Sequence, residues 1–345
     1  MNGNEKKIVI FILINLFLIL QMNQAVLAEE NKITAIQNCI VVDQNGGEDY
    51  KSLQEAINHA SENTVILIKN GFYKETLKID KRIVLIGENK KKTIISPVTP
   101  KNKCSVDIRA DDVKIENLTL TNRGNGIYNT AVKITGQYVE LRDLVIKDSP
   151  IGIALWSSFN TVSYCTFSGC DDEGIAFLGT EKSFVENNKI VNCSFLENND
   201  GVELQYASEN KISRCKFVQN KHDGISAIKY DNNNNLIEDC IFKGNGVHGI
   251  YFSEYSVDNT VKRCVYDQNK EADIFYKKPL GFNEKEDSSS SFTSDVDDFD
   301  FLIGLDLDVD GVAETSLFGF FKGLLDGQYG FAELKNIRSK IMLNI

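Results

Sequence analysis

The chain has 345 residues, with 42% apolar and 25% charged side chains, enough for one large or two small globular domains with a sizeable core. Lys and Arg total 38 against 49 Asp and Glu, and the net charge of −11 excludes a general nucleic-acid binder, which needs a basic face. With only 4 prolines, a collagen-like chain or a Pro-rich linker is excluded as well.

Residues 1–28 read as a secretory signal peptide. Lys6 and Lys7 give a positive start, Ile8 to Leu20 is apolar except for Asn15, and Val26-Leu27-Ala28 puts small residues where a signal peptidase reads. The run is short for a span of about 20 residues, although an uncleaved anchor is the alternative. The expected location is secreted, periplasmic or cell-surface, with no membrane span after cleavage.

From Tyr50 to Ala60 the apolar residues Leu53, Ala56, Ile57 and Ala60 fall at i, i+3, i+4 and i+7, one face of a helix suited to cover the open end of a solenoid. Val65–Ile68, Thr76–Ile79, Ile83–Ile86 and Thr93–Ile95 read as the first strands.

Internal repeats follow from about residue 106 to 276. Ile151-Gly152-Ile153-Ala154-Leu155, Glu173-Gly174-Ile175-Ala176-Phe177, Asp200-Gly201-Val202-Glu203-Leu204, Asp223-Gly224-Ile225-Ser226-Ala227 and His248-Gly249-Ile250-Tyr251-Phe252 share one pattern, with glycine spacings of 22, 27, 23 and 25 residues. A Cys-x-Phe column runs through Cys165/Phe167, Cys193/Phe195, Cys215/Phe217, Cys240/Phe242 and Cys264/Tyr266, and the two earlier repeats put Asn117/Thr119 and Asp143/Val145 there. A third column reads Asn122, Asp148, Cys170, Asn198, Asn220, Asn245 and Asn269. Short strands at this period cannot bury their own apolar face. Stacked coils pairing in parallel at about 4.8 Å can, with like side chains above one another. The expected fold is all-β, a right-handed parallel β-helix over residues 29–278 with an N-terminal capping helix and a small C-terminal appendage.

Asp49-Tyr50-Lys51-Ser52-Leu53-Gln54-Glu55-Ala56-Ile57, Gly71-Phe72-Tyr73-Lys74-Glu75 and Ile86-Gly87-Glu88-Asn89 resemble the entry segment of exported pectin-lyase-like β-helix proteins. The Gly-Ile-x-Phe and Cys/Asn-x-Phe repeats resemble the NosD-type branch of that superfamily. Asp306-Leu307-Asp308-Val309-Asp310-Gly311-Val312-Ala313-Glu314-Thr315 is similar to the acidic segment that closes many NosD-type chains. The resemblance implies the fold, and a function within a range that spans lyases, hydrolases, epimerases, adhesins and binding proteins. It also implies copper handling. Copper carriers lean on His and Met, however, and past residue 28 this chain has three His and Met342 alone. Polygalacturonase-like activity is not carried over, because Asp171-Asp172 precedes Asn199-Asp200 and no Arg-Ile-Lys is present.

The position before each repeat glycine supplies the candidate catalytic residues Glu173, Asp200 and Asp223. Stacked one coil apart, they match the carboxyl spacing of a retaining glycosidase, and crowding raises a neighbour's pKa as a general acid requires. The plain alternative is turn chemistry, in which Asp-Gly is ordinary. His222, Asp223 and His248 form a candidate zinc or copper(II) set. The cysteine column is either a soft-metal ladder or buried packing.

Between Gly281 and Glu314 stand eleven acids and one base, Lys285, which is −10 of the total −11. Residues 279–300 read as an acidic, Ser-rich linker, and 301–345 as a calcium-loop-like segment with a helical tail. Asp306, Asp308, Asp310 and Glu314 are the candidate calcium ligands, although Leu317 stands where a full EF-hand has Glu. The first functional expectation is a carbohydrate- or protein-binding surface or periplasmic protein whose partner is a polysaccharide or a cell-surface protein. The alternatives are a polysaccharide lyase or glycoside hydrolase using the carboxylate row, and a NosD-like metal-handling accessory.

Overall fold

Short β-strands alternate with tight bends throughout a computed structural model of the chain, which describes residues 39–228 and 230–277. The expected signal peptide, the linker, and the calcium-loop-like segment with Asp306, Asp308, Asp310 and Glu314 lie outside the described residues.

After the first strand, Cys39–Val42, each coil gives one strand to each of three parallel sheets. One sheet has ten strands, from Cys39–Val42 to Thr260–Lys262. A second has nine, from Gly71–Tyr73 to Val265–Asp267. The third, also of nine, carries the candidate row and is called the site sheet. Its central strands are Thr130–Ile134, Ile151–Leu155, Glu173–Leu178, Asp200–Gln205, Ile225–Ala227 and His248–Phe252, and Ala272–Tyr276 is its edge. All strand pairs in the three sheets are parallel and in step, so one apolar core runs the length of the solenoid.

The repeat columns have a steric cause. Phe167, Phe195, Phe217 and Phe242 stack with successive centroids 4.8 Å apart, and Tyr266 continues the stack at 5.4 Å. A Cβ added at Gly201 would lie 2.6 Å from the Phe217 ring and 2.5 Å from the Gly224 carbonyl oxygen. Glycine before the inward Val or Ile is therefore what lets each aromatic ring lie against the site sheet. Cys165, Cys193, Cys215 and Cys240 are buried neighbours and Cys264 is half-buried; all are free thiols. Their S–H groups donate to backbone carbonyls, as from Cys193 to Val191 at 3.4 Å, which is the packing role.

The register of the first two repeats differs from the sequence reading by one residue. Val145 and Ile146 pair with Thr119 and Leu120 on one side and with Thr166 and Phe167 on the other. Leu118 and Leu144 therefore precede Cys165 in its column, and Leu120 and Ile146 precede Phe167. Asn117 and Asp143 instead take the left-handed bend at φ 59° and 51°, aligned with Tyr164 at 56°. An inward site next to the core selects Leu, and a left-handed bend tolerates Asn or Asp. Likewise Ser149, not Asp148, joins the third column, accepting the Asn122 N–H at 2.7 Å.

The N-terminal helix, α1, spans Leu53–His59, shorter than the Tyr50–Ala60 pattern. The Ser52 hydroxyl accepts the Glu55 N–H at 3.2 Å, and Glu75 accepts the Leu53 and Gln54 N–H groups at 3.0 and 3.1 Å. Leu53, Ala56 and Ile57 are buried in the main core.

Candidate functional site

The three predicted carboxylates do form a row. Strand pairing sets Glu173 beside Asp200. The pairs Val202–Ile225 and Ile225–Ile250 carry the same register on through Asp223 to His248. All four sit where their strands enter the site sheet, and all are buried. The outward position in mid-strand adds Glu203, whose neighbours in register are Ala176 and Ser226.

Asp200 and Asp223 have different surroundings. Asp200 Oδ1 accepts the His222 Nδ1–H at 2.9 Å and the Asp223 backbone N–H at 2.8 Å. Asp223 Oδ1 accepts both the backbone N–H and the Nδ1–H of His248, each at 2.9 Å. Asp223 Oδ2 accepts the Ser226 hydroxyl at 3.2 Å. Asp223 is thus closed off at 0% exposure, with both oxygens engaged, and it fixes the His248 ring. The His222 ring is 48% exposed and faces solvent from the Asp200 side of the row.

Glu173 is the anomaly. It is 6% exposed, and its Oε2 has no hydrogen-bond partner. Burial, with the Glu203 and Asp172 carboxylates nearby, pushes its carboxyl up to about 9. Burial also raises Glu203 to about 7, against a hydrogen bond from Gln205 that favours the ionised form. The hydrogen bond to Asp200 raises His222 to about 9, overcoming its partial burial. At neutral pH the site therefore holds a protonated carboxylic acid at Glu173 and an imidazolium at His222.

Ligand atoms of Asp200, His222 and Asp223 lie within 4.8 Å of one another, close enough to share a metal ion. This set differs from the expected His222, Asp223 and His248. His248 Nδ1 is committed to Asp223, and Asp200 takes its place.

Two features escaped the sequence reading. Glu203 sits at an outward position, where the repeat constrains nothing and the residue type alone gives no signal. The other is a second asparagine ladder at the turn entering the ten-stranded sheet: Asn160, Asn188, Asn210, Asn235 and Asn259. Each backbone N–H from Asn160 to Asn235 donates to the next Asn side chain at 2.8 to 3.0 Å. Its signal was present as an Asn five residues before each Cys, once the Cys column was aligned.

The family model for the right-handed beta helix region matches residues 83–233 and again residues 152–278, more than half of the chain. The chain belongs to the right-handed β-helix family. This β-helix is also 33% identical over 109 residues to the putative pectinesterase/pectinesterase inhibitor 28 of Arabidopsis thaliana; the match covers 28% of this chain and 15% of that protein's length. Among solved structures, Geobacillus virus E2 ORF18 superposes with a TM-score of 0.50 at 14% identity, covering 76% of this chain and 65% of that one, and shows the same fold. Pectin methylesterase from carrot gives 0.44 at 14% identity, covering 68% of this chain and 88% of that one. Among the described residues, no helix is long and apolar enough to cross a membrane.

Proposed function

We propose that this β-helix protein is a polysaccharide-processing enzyme that cleaves glycosidic bonds on the outer face of the site sheet, with Glu173 as the acid and Asp200 as its partner carboxylate. One observation carries the reading. Glu173 is a buried carboxyl with an unpartnered oxygen, held protonated up to about pH 9, one coil from Asp200. A carboxyl that its surroundings hold protonated, one coil from a second carboxyl oriented by an imidazole, is the pairing that glycoside hydrolysis uses.

Adjacent parallel coils set the two about 4.8 Å apart along the solenoid, close to the carboxyl separation of retaining enzymes. In that scheme Glu173 protonates the leaving glycosidic oxygen while Asp200 attacks the anomeric carbon. Glu173, now ionised, then deprotonates the water that releases the sugar from Asp200. His222 and the Asp223 backbone N–H orient Asp200 through its Oδ1. Similarity to a putative pectinesterase over 109 residues supports a carbohydrate ligand. Export through residues 1–28 would bring the enzyme to extracellular polysaccharide.

The test is to incubate the full-length protein with a panel of neutral and acidic polysaccharides and measure new reducing ends. Reducing ends should appear with at least one polymer and vanish in Glu173→Gln and Asp200→Asn variants that melt like the parent. Retention of a polymer with no turnover would instead establish a binding protein, and an unsaturated product absorbing in the ultraviolet would establish a lyase.

A further inference from the structure

The longest repeat, 27 residues from Gly174 to Gly201, spends its extra length beside the site sheet. After strand Glu173–Leu178 the chain makes a tight excursion, closed by backbone hydrogen bonds between Thr180 and Ser183 at 2.9 and 3.0 Å. This excursion raises Glu181 and Lys182 as the rim of an open cleft of about 560 Å³, with Gln205, Tyr206 and Tyr230 on its other side. The Tyr206 and Tyr230 rings stack at 4.6 Å, and Phe184 meets Tyr206 edge-on at 5.8 Å. Tyr206 holds this place with φ at 48°, a left-handed conformation that costs an aromatic residue about 1–2 kcal/mol.

The cleft is the middle of a longer feature. Every coil from Thr130 to Phe252 places an aromatic residue on the segment leaving the site sheet for the ten-stranded sheet. They are Tyr138, Trp156 with Phe159, Phe184, Tyr206, Tyr230 and Tyr255. Tyr138 and Phe159 stack at 5.5 Å, and these two, Trp156 and Tyr255 are exposed. A coil advances about 4.8 Å, a step of the same order as one pyranose ring in an extended chain. Aromatic faces take the apolar C–H faces of sugars, and one platform per coil suits a polymer laid along the axis. Along the same corner segments the exposed acids Glu181, Glu209, Asp231 and Asp258 stand against Lys182, which repels a polyanion.

We infer that the aromatic corner and the Tyr206–Tyr230 cleft are the sugar-binding subsites of this protein, and that they take a neutral pyranose polymer rather than a polyuronate. The inference rests on the proposed enzymatic reading for its purpose, not for its geometry. Isothermal titration of the full-length protein with cellohexaose, xylohexaose, mannohexaose, chitohexaose and hexagalacturonate tests it. At least one neutral hexasaccharide should bind and hexagalacturonate should not. Tyr206→Asn, which keeps a residue tolerant of the left-handed backbone, and Tyr230→Ala should each weaken the neutral ligand at least about tenfold. Tyr206→Phe should retain it. Hexagalacturonate binding as tightly as the neutral ligands, no binding by any neutral hexasaccharide, or unchanged affinity in both ring-removing variants would each overturn the inference. Glu173→Gln and Asp200→Asn separate the two claims. Turnover lost in these with Tyr206→Asn silent leaves the enzyme reading and removes the subsites. Binding lost in Tyr206→Asn with no turnover in the parent does the reverse.

Discussion

The His222 imidazole reaches back one coil to Asp200 and donates its Nδ1–H to Oδ1 at 2.9 Å, the same oxygen that accepts the Asp223 backbone N–H. The bond ties an exposed ring to a buried carboxylate and couples the site to pH.

That coupling gives a stability prediction. His222 is raised to about 9, so its contribution is fully present below its ordinary range near 6.5 and is lost as pH rises through about 9. Glu173, raised from 4.5 to about 9, binds its proton more tightly when folded, so stability falls as pH rises from about 4.5 to about 9. Thermal melts should therefore drop between pH 6 and pH 9.5. Glu173→Gln should flatten the drop and add on the order of 1 kcal/mol or more at pH 8. His222→Gln should flatten its upper part. Melting temperatures independent of pH across that range would refute both assignments.

Gly201→Ala tests the steric pairing of glycine and phenylalanine. The added methyl would meet the Gly224 carbonyl oxygen at 2.5 Å and the Phe217 ring at 2.6 Å. Overpacking of this kind costs about 1–3 kcal/mol. Chemical denaturation should show the loss, whereas an unchanged midpoint would mean that the coils can separate locally at no cost.

Asn210→Ala tests the second asparagine ladder. Its Oδ1 accepts the Asn188 backbone N–H at 2.9 Å and side-chain amide at 3.0 Å, and its own amide donates to the Val185 carbonyl at 2.8 Å. Truncation orphans these buried groups at about 1–3 kcal/mol each. A denaturation midpoint within error of the parent's would show that water replaces the ladder.

How much of this was readable in advance follows from what each column does. Gly201, Phe217 and Cys215 were legible because a packed core repeats identical shapes at every coil. Asn117 and Asp143 misled the register because Asn and Asp serve both buried ladders and exposed left-handed bends, and residue type alone does not separate the two. The row of Glu173, Asp200 and Asp223 was found from its position before the glycine, and strand pairing sets the three in register. The surroundings that distinguish the three were not legible. The unpartnered oxygen of Glu173, the doubly engaged carboxylate of Asp223 and the approach of Glu203 depend on side chains from different coils. The Tyr206–Tyr230 cleft depends on a loop whose path no periodicity specifies.

The most direct measurement is a carboxyl ¹³C titration of the protein labelled at glutamate, with Glu173→Gln used to assign the resonance. The account predicts that Glu173 stays protonated at neutral pH and titrates near 9. A midpoint near 4.5, the ordinary glutamate value, would leave no acid at the row and contradict the account.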